Sequence, residues 1–189
     1  TLNRMGSCIS RAWLSFKQRK EKRCLLVGLD NAGKTTILYS LCNKDTKSIA
    51  PTTGFNLEMV QMKKFKFDIW DVGGQEQSRI LWRHYYTGTD CVIYVIDGAD
   101  RSRFDESKHE LERMLLDDQL KSAIWLFVVN KQDVPGCAHA EEVEGIFGLP
   151  KLMEGRRYKI MDTVAKKNVC ITDGMAWIER SEERRVGKE

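Results

Sequence analysis

The chain has 189 residues, 42% of them hydrophobic and 31% charged, a balance that suits one folded domain and excludes the disordered and fibrous classes. The longest apolar runs, CLLV, CVIYVI and AIWLFVV, fall well short of the roughly 18 residues of a spanning helix. With no secretory h-region, and six scattered cysteines that form no C-x-x-C, the composition points to a cytosolic protein without a disulfide framework or zinc site. The net charge of +4 is uneven: residues 1–23 carry seven basic side chains and one acid. The remainder is nearly neutral, which disfavours nucleic acid as a partner.

The leader contains M-G-S-C-I-S from Met5. That pattern fits myristoylation of Gly6 once residues 1–5 are removed, and Cys8 is a candidate for a palmitoyl chain. If Thr1–Arg4 persist, Gly6 cannot be acylated. Ile9, Ala12, Trp13 and Phe16 form one apolar stripe at helical spacing, with Arg11 and Lys17 off it, the signature of a helix that lies in a membrane interface. The chain thus divides into a leader over 1–21, a globular domain over 22–178 and a polar tail over 179–189.

Within the domain, RCLLVG (23–28) predicts a strand, and helical spacing follows from Lys34 to Leu41. KFKFDIWDV (64–72) alternates with the period of a strand. CVIYVID (91–97) and AIWLFVVN (123–130) are continuous apolar runs, as expected of strands buried on both faces. Helical patterns cover Phe104 to Leu120, 139–147 and the patch Met175, Trp177 and Ile178. Strands alternating with helices predict an α/β fold with a mostly parallel sheet covered on both faces. The tail ERSEERRVGKE is expected to be frayed helix or disordered.

GLDNAGKT (28–35) fits G-x-x-x-x-G-K-[ST] between a predicted strand and helix, the context that makes it a phosphate-binding loop. Gly28, Asp30, Asn31, Ala32, Gly33, Lys34, Thr35 and Thr36 are the candidate phosphate contacts. Successive backbone N–H groups and the helix N-terminus make an anion cradle, Lys34 bridges the β- and γ-phosphates, and the Thr35 hydroxyl ligates Mg²⁺. DVGGQ (71–75) supplies Asp71 to hold Mg²⁺ through water, Gly74 to meet the γ-phosphate, and Gln75 to orient the attacking water. PTTGF (51–55) supplies Thr52 for the metal and γ-phosphate. NKQD (130–133) follows a predicted strand. Asp133 suits the paired donors of guanine, Asn130 suits N7, and Lys131 lies along the base. The predicted ligands are therefore GTP or GDP with Mg²⁺. An ATP-dependent enzyme is disfavoured by Asp133.

GLDNAGKTTIL (28–38), PTTGFN (51–56), WDVGGQE (70–76), LWRHYY (81–86), VIDGADRSRF (95–104) and NKQDVPG (130–136) together resemble the ADP-ribosylation factor family of small GTPases. The resemblance runs from about Met5 to Ile178. It implies a P-loop fold with a five- or six-stranded sheet, preceded by an amphipathic helix. It also implies a monomeric GDP/GTP switch in vesicular trafficking, working with exchange factors, GTPase-activating proteins, effectors and an endomembrane surface such as the Golgi. Its effector triad matches Phe55, Trp70 and Tyr85. The same residues could be core, but Phe55 and Trp70 flank the switch segments, which favours a partner surface that changes with nucleotide. No switch residue reads as a built-in arginine finger, so hydrolysis is expected to need a partner. One departure stands out. Where the family has a small hydroxyl-bearing loop behind the guanine, this chain keeps Ala165 but follows it with Lys166 and Lys167. The alternative reading is a scaffold of the same fold that retains nucleotide weakly.

Overall fold

The structure, a computed structural model, describes residues 19–167 and 170–186. The acylation signal at Gly6 and Cys8 and the stripe Ile9/Ala12/Trp13/Phe16 lie outside the described residues. Six strands form one sheet in the order β2-β3-β1-β4-β5-β6, where β1 is Lys20–Val27, β2 Phe55–Gln61, β3 Phe65–Val72, β4 Cys91–Asp97, β5 Ile124–Asn130 and β6 Tyr158–Asp162. Only β2 runs antiparallel, joined to β3 as a hairpin. The other neighbours pair in parallel.

The continuous apolar runs are explained by a sheet packed on both faces. Alternate residues of β5 go to opposite sides. Trp125, Phe127 and Val129 join a core with Phe104, Leu111 and Met114 of α3 (Phe104–Leu115) and with Val143 and Phe147 of α4 (Ala140–Phe147). Ile124, Leu126 and Val128 join a second core with Ile37 and Leu38 of α1 (Lys34–Leu41) and with Ile171, Met175 and Ile178 of α6 (Ile171–Val186). Two one-turn helices, α2 (Glu76–Arg79) and α5 (Leu149–Leu152), complete the set. Among the described residues, no helix is long and apolar enough to cross a membrane.

Three features differ from the expectations. β1 starts at Lys20, ahead of the apolar run, because Lys20 to Arg23 pair with Phe65 to Asp68 of β3. The leader boundary at residue 21 therefore falls inside a strand. β2 and β6 are edge strands without the core-facing pattern that marks the others. Finally, the tail predicted over 179–189 is not separate, since α6 continues through Val186. Three of its polar residues, Glu179, Ser181 and Glu182, are buried. Glu179 Oε1 accepts the backbone N–H of Lys64 at 2.6 Å, at the β2–β3 turn. Glu182 lies 2.7 Å from the Lys22 ammonium of β1, which also meets Asp90 at 2.9 Å.

Candidate functional site

The parallel strands bring their carboxyl ends to one rim of the sheet, where ligands of open α/β sheets bind. β1 ends in the Gly-rich loop, β3 ends at Asp71 and Val72, β4 at Asp97 and β5 at Asn130. A cleft of about 290 Å³ opens there, lined by Asp30, Asn31, Gly33, Lys34, Thr35, Thr36, Thr52, Gly74 and Gln75, with Ile49, Ala50 and Pro51. Residues of three separate motifs thus share one cavity.

Lys34 is buried, and its ammonium donates to the carbonyls of Gly28 and Leu29, each at 2.9 Å. Burial pulls it down to about 8, against the pull of the Asp71 and Asp30 carboxylates. A buried ammonium held only by carbonyls is poised for an anion. Gly74 sits directly on this loop: a Cβ there would run into the Lys34 ammonium and the backbone of Asp30 and Gly28. Its carbonyl accepts the Asp30 N–H at 3.1 Å. Gly28, at φ 140°, is needed for a different reason, because a Cβ would strike the Val95 carbonyl of the neighbouring strand. Gln75 is exposed at the start of α2.

Beside the lysine, oxygen donors converge. The Thr35 hydroxyl donates to Asp71 Oδ2 at 2.6 Å and lies 3.0 Å from the Thr52 hydroxyl. Asn56, which the sequence reading missed, donates to the same Asp71 oxygen at 3.1 Å. Asp71 is fully buried, and burial pushes its carboxyl up while Thr35 and Asn56 donate to it. Its other oxygen, Oδ1, has no partner. A buried carboxylate with one orphaned oxygen, beside two hydroxyls, is an all-oxygen set that fits a hard divalent cation such as Mg²⁺. No group of three or more His, Cys, Asp or Glu suited to a metal occurs among the described residues.

Asn130 links the two halves of the site. It is buried, donates to the Ala32 carbonyl at 2.8 Å and accepts the Ala165 N–H at 3.1 Å. The altered loop therefore keeps its backbone tie to the rest of the site. Lys131, at φ 66°, donates to Asp97 Oδ2 at 2.6 Å, and Asp133 is exposed. These base-side residues lie outside the 290 Å³ cleft.

The sequence reading also missed an ionic cluster behind the loop. Arg79 is buried, with its guanidinium 2.7 Å from Glu106 and 3.6 Å from Glu110, and its Nε donates to the Gly74 carbonyl at 2.8 Å. Arg103 donates to Asp30 Oδ1 at 2.8 Å and to Glu106. Arg103 and Arg79 hold the Glu106 carboxyl down at about 2, and Arg103 holds Asp30 below the usual carboxylate range. Asp30 thus contributes its backbone to the cleft while its carboxylate is committed elsewhere. No sequence spacing signals such a cluster, because α2 and α3 meet only in the fold.

Phe55, Trp70 and Tyr85 meet as a ring triad with centroids 5.1–5.8 Å apart. Trp70 and Tyr85 pack against the core, while Phe55 stays 49% exposed. The Arg23 guanidinium stacks 4.4 Å over the Trp70 ring, a favourable cation–π placement. Two members of the triad are thus part of the core, and the third is half-exposed.

A model of the ADP-ribosylation factor family matches residues 9–182. Among solved structures, the chain is similar to the Arl6 BBS3 small GTPase from Trypanosoma brucei with bound nucleotide analogue GppNp, at 30% identity and a TM-score of 0.81, covering 87% of this chain and 99% of that one. The family model covers most of the chain, and the chain belongs to the ADP-ribosylation factor family of small GTPases.

Proposed function

We propose that this GTPase is a GDP/GTP-governed membrane-recruitment switch in vesicular trafficking. The observation that carries the nucleotide part is the convergence of Thr35, Thr52 and Asp71 beside a buried Lys34. Lys34 and the loop N–H groups bind the β- and γ-phosphates. Thr35, Thr52 and Asp71 would hold Mg²⁺, which would supply positive charge to neutralise the phosphates. Asp133, Lys131, Asn130 and Ala165 frame the guanine.

Hydrolysis is attack of water on the γ-phosphorus, with the β–γ bridging oxygen leaving on GDP and the water's proton passing to phosphate. Gln75 orients that water. Arg79, beside the loop, is occupied by Glu106, Glu110 and the Gly74 carbonyl, and Arg103 by Asp30 and Glu106. A partner's cation therefore supplies the remaining transition-state charge, so intrinsic turnover is slow and activating proteins accelerate it. Gln75→Leu is expected to slow partner-stimulated phosphate release by two or more orders of magnitude while leaving GTP affinity nearly unchanged. Equal loss of both would remove Gln75 from the hydrolytic role.

The membrane part rests on the leader, with Gly6 acylation, Cys8 and the Trp13/Phe16 stripe as successive attachments. Switch-dependent partners are expected on the half-exposed Phe55 and its ring neighbours. Flotation with liposomes tests this reading. Acylated protein loaded with a non-hydrolysable GTP analogue is expected to float, and the GDP form to remain below. Equal recovery in both states would contradict a nucleotide-governed switch.

A further inference from the structure

Asn56 has no role in the reading above, yet it touches two of the three residues assigned to the cation. It is the second residue of β2 and stands directly opposite Asp71 in the antiparallel register, the cross-strand position where side chains interact most closely. Its amide nitrogen lies 3.1 Å from Asp71 Oδ2 and 3.4 Å from the Thr52 hydroxyl. One NH₂ group has two protons, so both donations coexist. The opposite amide orientation would set its carbonyl oxygen against the buried carboxylate, so the network fixes which way the amide lies.

The proton directions follow. Thr35 spends its single hydroxyl proton on Asp71 Oδ2. Thr52 accepts from Asn56, so its own proton goes to Thr35, 3.0 Å away. Each hydroxyl is then left with one lone pair, and Asp71 keeps Oδ1 without a partner. We propose that Asn56 is the positioning residue of the cation site: by donating to Asp71 Oδ2 and Thr52 Oγ1 it fixes the carboxylate's rotation and the hydroxyls' proton direction, so that Thr35 Oγ1, Thr52 Oγ1 and Asp71 Oδ1 each keep a lone pair free for the cation. A residue that only pinned the β2–β3 register would affect the fold whether or not a cation is bound. A positioning residue affects the cation-bound state alone.

This inference rests on the Mg²⁺ reading, and one titration separates the two. Release of a fluorescent GDP from the full chain is followed from EDTA-buffered to millimolar free Mg²⁺. In the unsubstituted protein Mg²⁺ is expected to slow release; no response would overturn the Mg²⁺ reading and the inference with it. Given a response, Asn56→Leu is expected to raise the Mg²⁺ concentration for half-maximal slowing by about 10- to 100-fold, the usual cost of losing a partner that orients a metal ligand, with the release rate in EDTA within about twofold. Asn56→Thr, which keeps a donor, is expected within about threefold of the unsubstituted midpoint and serves if the leucine variant fails to fold. An unchanged midpoint in Asn56→Leu, an equal rate change with and without Mg²⁺, or a threonine midpoint displaced by 10-fold or more would overturn the positioning role while leaving the Mg²⁺ site standing.

Discussion

Lys34 is a buried charge that lines the cleft. Its ammonium is buried and sits at about 8, against 10.5 in the unfolded chain. Between those values the unfolded chain binds the extra proton, so the nucleotide-free protein gains stability as pH rises from about 8 toward 10.5, and the full penalty is present below about 8. Thermal melting across that window is expected to show this rise, and Lys34→Met to flatten it. Bound phosphate removes the cause, so the rise is also expected to vanish in saturating GDP. At the same scale, the motif residues were legible because each carries a chemistry that its spacing announces: the lysine after Gly33, the carboxylate of Asp71, the amide of Asn130. Asn56, Arg79 and Arg103 were not legible. Their partners come from other elements, and an Asn in a strand or an Arg beside a helix has no spacing that names its contact.

At the scale of elements, the central strands were legible for the same reason that they are stable. Burial on both faces demands an unbroken apolar run, and CVIYVID and AIWLFVV supply it. β2 failed that test because it is an edge strand whose apolar residues Phe55, Leu57 and Met59 face solvent. The last helix was legible at Met175, Trp177 and Ile178, but its C-terminal half was missed for the opposite reason. Its charged stretch looked like a solvated tail, but Glu179 holds the hairpin turn and Glu182 pairs with Lys22. Composition cannot distinguish a charge bound for water from one bound for a partner on another element. Lys22→Met leaves the buried Glu182 with Arg185, 3.4 Å away, as its cation. It is expected to lower unfolding stability by about 1–3 kcal/mol in urea denaturation through the lost charged hydrogen bonds, and Glu179→Ala by about 1–3 kcal/mol through the freed backbone donors of the turn. Changes below about 0.5 kcal/mol in both, the range of ordinary surface substitutions, would mean that residues 179–186 do not pack as described.

For the molecule as a whole, one rim of the sheet does the work. β1, β3, β4 and β5 bring the Gly-rich loop, Asp71, Asp97 and Asn130 to the same edge, and Asn56, at the start of β2, bridges Thr52 and Asp71. The departure after Ala165 leaves the backbone tie to Asn130 in place, which favours a working nucleotide site over a scaffold that retains nucleotide weakly. The most direct test is the nucleotide content of the purified full chain, followed by displacement with excess GTP or ATP in Mg²⁺. Close to one guanine nucleotide per chain, displaced by GTP and not by ATP, is the expected result. A chain that purifies without nucleotide and binds ATP and GTP equally would contradict the account.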